Sequence, residues 1–413
     1  MFDTVVVGAG AAGLTAARIL GEAGHRVLIA EARDRAGGRM WSEPLPGLPV
    51  VAELGAEFIH GTPEATWELI RKWGIPAQER CGNRLCYENG KLGNCTFPEQ
   101  VDEIFSTLET YRGEDISFSQ FVATHAAHFD QTSRRWAREY IEGFDAADSE
   151  NISVKWLQSS SAAEEADEGH KLFAISTGYS SLVSEMIHSL PNDATLRLAC
   201  PVRSVKWSES GVVVATDSGT FSCRFAVLTV PPPVLPSVRF DPPVPNTEAA
   251  KRIATGPVMR VTLAFRESFW PSFSMLHSHA EDFPTWWTHL PVTAPVLTAW
   301  CGGPRAARLS ALTRAEIIDR ALDALSRLLN TGRSRIEDSL VSAHTHNWQT
   351  DEWSKGAYSY VTAGNTDATA QLAAPVGNRL FFAGEASEST GRSGLVHGAI
   401  LTGQRAAREI LSL

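Results

Sequence analysis

The stretch Val5-Val6-Val7-Gly8-Ala9-Gly10-Ala11-Ala12-Gly13-Leu14 constrains this 413-residue chain more than any other. Three β-branched residues run into glycines and then into small, helix-compatible residues, the order expected of a buried strand, a tight loop and a helix. Gly8 permits the turn, Gly10 lets backbone approach a pyrophosphate, and Gly13 lets helix and strand pack closely. Val27-Leu28-Ile29-Ala30 reads as the next parallel strand and ends at Glu31, 18 residues past Gly13. An acid at that point accepts hydrogen bonds from a ribose, so strand, helix, strand and acid together predict a dinucleotide-binding βαβ unit.

The far end of the chain narrows the choice of dinucleotide. Leu380-Phe381-Phe382-Ala383-Gly384-Glu385 is a second apolar strand ending in Gly-Glu, and Gly394-Leu395-Val396-His397-Gly398-Ala399 opens the last helix. A helix start offers unpaired N–H groups and partial positive charge, suited to phosphate or to an electron-rich reduced ring. A nicotinamide enzyme has no need to bring its C-terminus back to the cofactor, whereas a long flavin dinucleotide clasped from both ends does.

The chain is long enough for two domains. Its 43% hydrophobic and 20% charged residues are those of a globular enzyme. No apolar run approaches the roughly 18 residues of a membrane span, and the longest candidate, Phe225 to Leu235, is broken by three prolines. The first strand begins almost at the initiator Met, which leaves no room for a signal peptide and makes a cytoplasmic location the expectation. A net charge of −10 without a basic run argues against nucleic acid and is compatible with drawing in a cationic amine. Six cysteines without a CxxC pair or a histidine at zinc spacing are expected to be free thiols, with no metal bound.

Residues 79 to 177 read as helical. Leu196 to Val230 reads as a β-meander, and Pro231 to Pro245, with seven prolines, as an extended crossover. Val258–Phe265, Met275–His277, Thr285–His289 and Val296–Trp300 read as a second, antiparallel sheet, and Thr313–Leu329 as an amphipathic helix.

Further motifs punctuate this plan: Glu31-Ala32-Arg33 with Gly37-Gly38-Arg39, then Glu53-Leu54-Gly55-Ala56-Glu57-Phe58-Ile59-His60-Gly61. Val230-Pro231-Pro232-Pro233-Val234-Leu235, Phe269-Trp270, Trp353-Ser354-Lys355-Gly356-Ala357-Tyr358-Ser359-Tyr360 and Gly384-Glu385 follow in order. In these motifs the chain resembles the flavin-containing amine oxidases (monoamine, polyamine and spermine oxidases and the amine-oxidase domain of the lysine-specific histone demethylase), and most nearly the polyamine type. The resemblance runs from residue 4 to about 408. It implies an α/β fold: a Rossmann-like FAD-binding domain with a β-meander, from residues 1–78, 178–249 and 351–413. The other domain, for substrate, comprises residues 79–177 and 250–350, with helices on an antiparallel sheet. It also implies FAD held by Gly8, Gly10, Gly13, Glu31, Arg33, Gly38, Arg39, Gly55, Ala56, Glu57, Val202, Trp353, Gly384, Glu385, Leu395 and Val396, a small amine as substrate, and oxygen as electron acceptor. The oligomeric state stays open.

Three residues carry the expected chemistry. An ammonium does not readily lose hydride, so such a site needs apolar and aromatic walls that keep the amine uncharged. Tyr358 occupies the place of the family's cage tyrosine. The opposite place is Leu395, and the usual point of covalent flavin attachment is Ala357, so FAD is expected to be non-covalent. Arg260 stands where the family has a lysine, ten residues before Trp270. It either holds a water near the flavin, binds a substrate carboxylate, or forms a structural ion pair elsewhere in the sheet. His60 matches a histidine of polyamine oxidases and either bonds a substrate nitrogen or is satisfied by backbone. Glu57 meets a distal ammonium or lies near the flavin, His397 is expected to serve helix-start packing, and Glu164-Glu165-Ala166-Asp167-Glu168 is a solvated face or an acidic rim. The expected reaction takes amine to imine with oxygen reduced to peroxide. The alternatives are an L-amino acid oxidase, a flavin dehydrogenase or desaturase using another acceptor, and a flavoprotein kept only as a binding scaffold.

Overall fold

The computed structural model describes residues 2–88, 90–95 and 100–413. At its centre five parallel strands lie in the order Ala194–Arg197, Val27–Ala30, Thr4–Val7, Phe225–Leu228, Leu380–Phe382. Alternating side chains feed two different cores, which is why these strands are apolar throughout. Val6, Ile29 and Phe381 pack under Leu14 and Ala17 of helix Ala11–Glu22 and Ile400 of helix Val396–Leu411. Val5, Val7, Leu28 and Phe382 face the opposite way, onto Val205, Val212 and Val214 of the meander Val202–Ser208, Gly211–Thr216, Gly219–Cys223. The proline-rich crossover contains a short turn, Leu235–Ser237, and a three-residue strand, Arg239–Asp241, parallel to the meander's first strand.

A seven-stranded sheet forms the second body, in the order Leu340–His344, Val258–Phe265, Val296–Gly302, Thr285–Trp287, Met275–His277, Arg84–Glu88, Lys91–Asn94. Helix Arg314–Leu329, started by a Thr313–Glu316 capping box, lays Ile317, Leu322, Leu325 and Leu328 on this sheet against Leu263, Leu297 and Ala299. Two expectations need correction. The stretch 79–177 is helical only from Gln100 to Ala166; before it lies the hairpin Arg84–Glu88/Lys91–Asn94, whose Leu85, Tyr87 and Leu92 alternate onto the sheet's core. The hairpin also brings Cys86 and Cys95 to a Cα separation of 4.7 Å, and they form a disulfide rather than two free thiols. Among the described residues, Cys81, Cys200, Cys223 and Cys301 are free, and no helix is long and apolar enough to cross a membrane.

Candidate active site

One cavity of about 660 Å³ meets both bodies. Residues at or just beyond the carboxyl ends of the parallel strands (Gly8, Glu31, Thr229, Gly384) line it together with Arg260, Trp287 and Trp300 of the large sheet. That is where an open parallel sheet accepts ligands. All the residues expected to hold FAD line it except Gly13, and so do Arg260, Tyr358 and His60. Gly13 is excluded for a steric reason: a Cβ there would sit 2.0 Å from the Gly8 carbonyl oxygen. Gly10, by contrast, faces open space, with nothing within 4 Å of a Cβ placed on it.

Two helices open on the cavity without a capping side chain, one after Gly10 and one after Leu395. Their first-turn N–H groups and positive dipole ends suit a pyrophosphate and an electron-rich ring. The helices themselves touch, since a Cβ on Gly403 would come 2.3 Å from the Ala12 carbonyl oxygen, and this packing brings the two chain ends to one ligand. Glu31 closes the first strand pair by accepting hydrogen bonds from the Ala9 N–H at 2.7 Å and the Arg33 N–H at 2.9 Å. Each oxygen keeps a further lone pair for a ribose hydroxyl.

Several expected cofactor ligands are engaged with protein. Arg33 grips Asp351 bidentately at 2.7 and 2.6 Å and donates to Ser354, fixing the loop that carries Trp353. Glu385 accepts from Arg39 at 2.8 Å and from the Gly394 N–H at 2.8 Å, and also from Ser359, so it joins three segments of the cavity wall. The Glu57 carboxylate accepts from the Trp287 indole N–H at 3.1 Å and from Arg80 at 3.1 Å, and forms an ion pair with Arg260. These partners leave it poorly placed to meet a substrate ammonium.

Arg260 is only 4% exposed. It donates to the Gly55 carbonyl at 2.7 Å, pairs with Glu57, and lies 5.2 Å from the Trp287 ring centroid and 6.0 Å from that of Trp300. Burial lowers its pKa to about 10, with Glu53 pulling the other way, so it remains a cation at neutral pH. Arg260 thus lines the cavity and is half of a buried ion pair, whose partner comes from outside its sheet rather than from elsewhere in it.

Tyr358 spans part of the cavity wall. Its ring edge faces Gly394, Cδ2 lying 3.6 Å from where a Cβ would stand, and its hydroxyl donates to the Phe144 carbonyl at 2.7 Å. Burial raises its pKa, so it stays neutral. His60 packs edge-on against Phe144 at 5.6 Å, its Nδ1 buried without a partner, and burial lowers its pKa to about 4. It is therefore a neutral imidazole whose Nδ1 has no hydrogen-bond partner among the described residues. His397, in the first turn of the last helix, is likewise pushed down to about 4 by burial. The acidic run divides: Glu164 and Asp167 line the cavity, Asp167 bound by Arg392 at 2.7 and 3.0 Å, while Glu165 and Glu168 face solvent.

Sequence reasoning missed Asp145. It follows helix Gln131–Phe144, lines the cavity and is 9% exposed; burial, reinforced by Glu164, pushes its pKa up to about 8. Nothing in the local sequence sets it apart from the surface acids Asp148 and Glu150 nearby.

A family model described as flavin containing amine oxidoreductase matches residues 11–120 and 111–411. Polyamine oxidase 2 of Arabidopsis thaliana is 31% identical over 449 residues, covering 98% of this chain and 87% of that protein. Lysine-specific histone demethylase 1 homolog 1 of Arabidopsis thaliana is 29% identical over 455 residues, covering 99% of this chain; the match spans 52% of that protein, about half its length. A double mutant of putrescine oxidase superposes with a TM-score of 0.85 at 24% identity, covering 100% of this chain and 99% of that one. Cyclohexylamine oxidase from Brevibacterium oxydans superposes with a TM-score of 0.84 at 23% identity and the same coverage. Both structures share this fold.

Proposed function

We propose that this chain, which belongs to the flavin-containing amine oxidoreductase family, oxidises a small amine of the diamine or polyamine kind to an imine, which water then hydrolyses to an aldehyde. When bound, FAD would supply the hydride acceptor, with oxygen as the final acceptor of the electrons and hydrogen peroxide as the product. The residues present fit that group. Gly10 and the two uncapped helix starts would receive its phosphates and ring, and Glu31 would receive its ribose. The observation that carries the reading is the remainder of the cavity, walled by Tyr358, Trp287, Trp300, Tyr140 and Phe144 and lined by carboxylates. Aromatic walls exclude water and favour the uncharged amine, while His60 offers a neutral nitrogen for a hydrogen bond. An amino acid fits less well: its carboxylate would reach Arg260 only by lying against Glu57, a repulsion that removes the attraction a clamp needs.

The test is anaerobic bleaching of the bound flavin by a panel of diamines, polyamines, monoamines and amino acids, followed by peroxide assay in air. Bleaching by amines with peroxide formation is expected. Bleaching by amino acids alone would replace the reading with an amino acid oxidase, and bleaching without peroxide would replace the acceptor. The flavin is also expected to leave the polypeptide on acid or heat treatment, because no cysteine among the described residues lines the cavity and Ala357 stands at the usual attachment point. Yellow colour retained by the denatured protein would refute non-covalent binding.

A further inference from the structure

Two guanidinium groups beside the large cavity share one carboxylate. Glu57 pairs with Arg260 and, at 3.1 Å, with Arg80, and it also accepts from the Trp287 indole N–H. Glu53 is the other acid that acts on both arginines, but its oxygens accept from the Tyr179 N–H and the Ser42 hydroxyl, each at 2.7 Å. Burial raises the Glu53 pKa to about 7, so at neutral pH it is charged only in part. Burial lowers the Arg80 pKa to about 10, which leaves it a cation. His289 adds no negative charge: burial, helped by Arg80 and Arg260, lowers its pKa to about 3, and its neutral ring accepts at Nδ1 from Arg80 at 3.2 Å. This buried chain therefore holds more positive than negative charge, and a buried charge without its counter-charge is costly.

The excess lies next to a second hollow. Arg80, its side chain 12% exposed, lines a space of about 80 Å³ that is distinct from the large cavity and shares the wall residue Trp287 with it. The Arg80 Nε–H is buried without an acceptor among the described residues. Arg84 and His170 line the same hollow from its exposed side, and among the described residues Arg84 has no ion-pair partner. The one acid lining it, Glu79, is exposed. A water needs roughly 10–15 Å³ of such space, so the hollow takes about five water-sized groups, the heavy-atom count of a tetrahedral oxyanion. Guanidinium forks recognise phosphate and carboxylate oxygens through paired, charge-assisted N–H bonds.

We propose that this hollow is a binding site for a small oxyanion, a phosphate or a carboxylate, held between Arg80 and Arg84 with His170 at its edge. The anion supplies the counter-charge that the chain Arg80, Glu57, Arg260 lacks, and it shares Arg80 with Glu57. Its occupancy is thereby coupled through Glu57 to the wall of the large cavity, whatever reaction that cavity carries out.

The test is calorimetric titration of the flavin-loaded protein with inorganic phosphate and, separately, with sodium acetate, at constant ionic strength. Saturable binding of at least one of them, at one per chain, is expected; phosphate alone identifies a tetrahedral oxyanion and acetate alone a carboxylate. Arg84→Met changes an exposed side chain without an ion pair, so it should fold as wild type does. It should bind the anion about tenfold more weakly, the worth of one charge-assisted bond, and Arg84→Lys should recover part of that loss. Glu57→Gln should bind about tenfold more tightly, because Arg80 then has no carboxylate to share. Thermal midpoints give a second readout: the rise produced by the anion should be largest in Glu57→Gln and smallest in Arg84→Met. Saturable binding of neither anion, or equal affinity in wild type and Arg84→Met, overturns the site. An affinity unchanged in Glu57→Gln overturns the sharing of Arg80.

Discussion

Arg260→Met is expected to lower the stability of the protein and, in the folded fraction, to slow flavin reduction or reoxidation. The first effect follows from the ion pair. Glu57 is 6% exposed, and losing Arg260 leaves it with Arg80 and the Trp287 N–H alone. Removing one half of a buried pair costs on the order of 3–5 kcal/mol. The retained Arg80 partner places the expectation toward the lower end of that range. A thermal midpoint equal to wild type would show that Arg80 suffices and that the Arg260–Glu57 pair adds no net stability.

Stability and chemistry separate in the double variant Glu57→Gln, Arg260→Met, which removes both charges. Stability should return only in part, since a neutral pair of similar volume replaces the ion pair but Arg80 then loses its contact with the Glu57 carboxylate. If Arg260 also shapes the site, stopped-flow reduction by amine and reoxidation by oxygen stay slow in the double variant. Arg260→Lys should retain a cation and measurable reduction while losing the fixed fork that reaches Gly55 and Glu57 together. Wild-type rates in both half-reactions of the double variant would confine Arg260 to packing.

The contrast between what was legible in the sequence and what was not follows the range of the interactions. Val5 to Leu14 announces strand, turn and helix because each step is decided within a few residues, and the structure pairs Val5 with Leu28 and Ala226 as a parallel sheet requires. The return of Gly384 and Leu395 to the same cavity was readable because strand-Gly-Glu and a glycine-opened helix are local patterns. The hairpin formed by Arg84–Glu88 and Lys91–Asn94 escaped because its alternating apolar set, Leu85, Tyr87 and Leu92, is short, and the Cys86–Cys95 disulfide escaped with it. The partners of Arg260 were unreadable for a different reason: they come from Glu57 and Gly55, on a distant segment that only the tertiary fold brings beside the large sheet. Asp145 reads as one more surface acid until helix Gln131–Phe144 is docked, with Trp300 donating to the Gly143 carbonyl at 3.4 Å.

Two glycines three residues apart should respond in opposite ways to the same added methyl group. Gly13→Ala is expected to prevent the first strand and helix from packing, because its Cβ would stand 2.0 Å from the Gly8 carbonyl oxygen and 3.2 Å from Val6 Cγ1. Neither is the end of a flexible side chain, so relief requires moving the helix off the sheet, a cost above the roughly 1–3 kcal/mol of ordinary overpacking. Gly10→Ala meets no protein atom within 4 Å, and Gly10 has φ −80°, which alanine adopts freely. The FAD-free Gly10→Ala protein should therefore be at least as stable as wild type, alanine restricting the unfolded chain by about 0.4–1 kcal/mol. Its flavin, however, should be lost on dialysis, because the methyl group takes the room the pyrophosphate needs against the helix start. Thermal melts of the flavin-free proteins and absorbance at the flavin band after dialysis give the two readouts. Full flavin occupancy in Gly10→Ala would place the pyrophosphate elsewhere, and a Gly13→Ala protein as stable as wild type would show that the helix can retreat without cost.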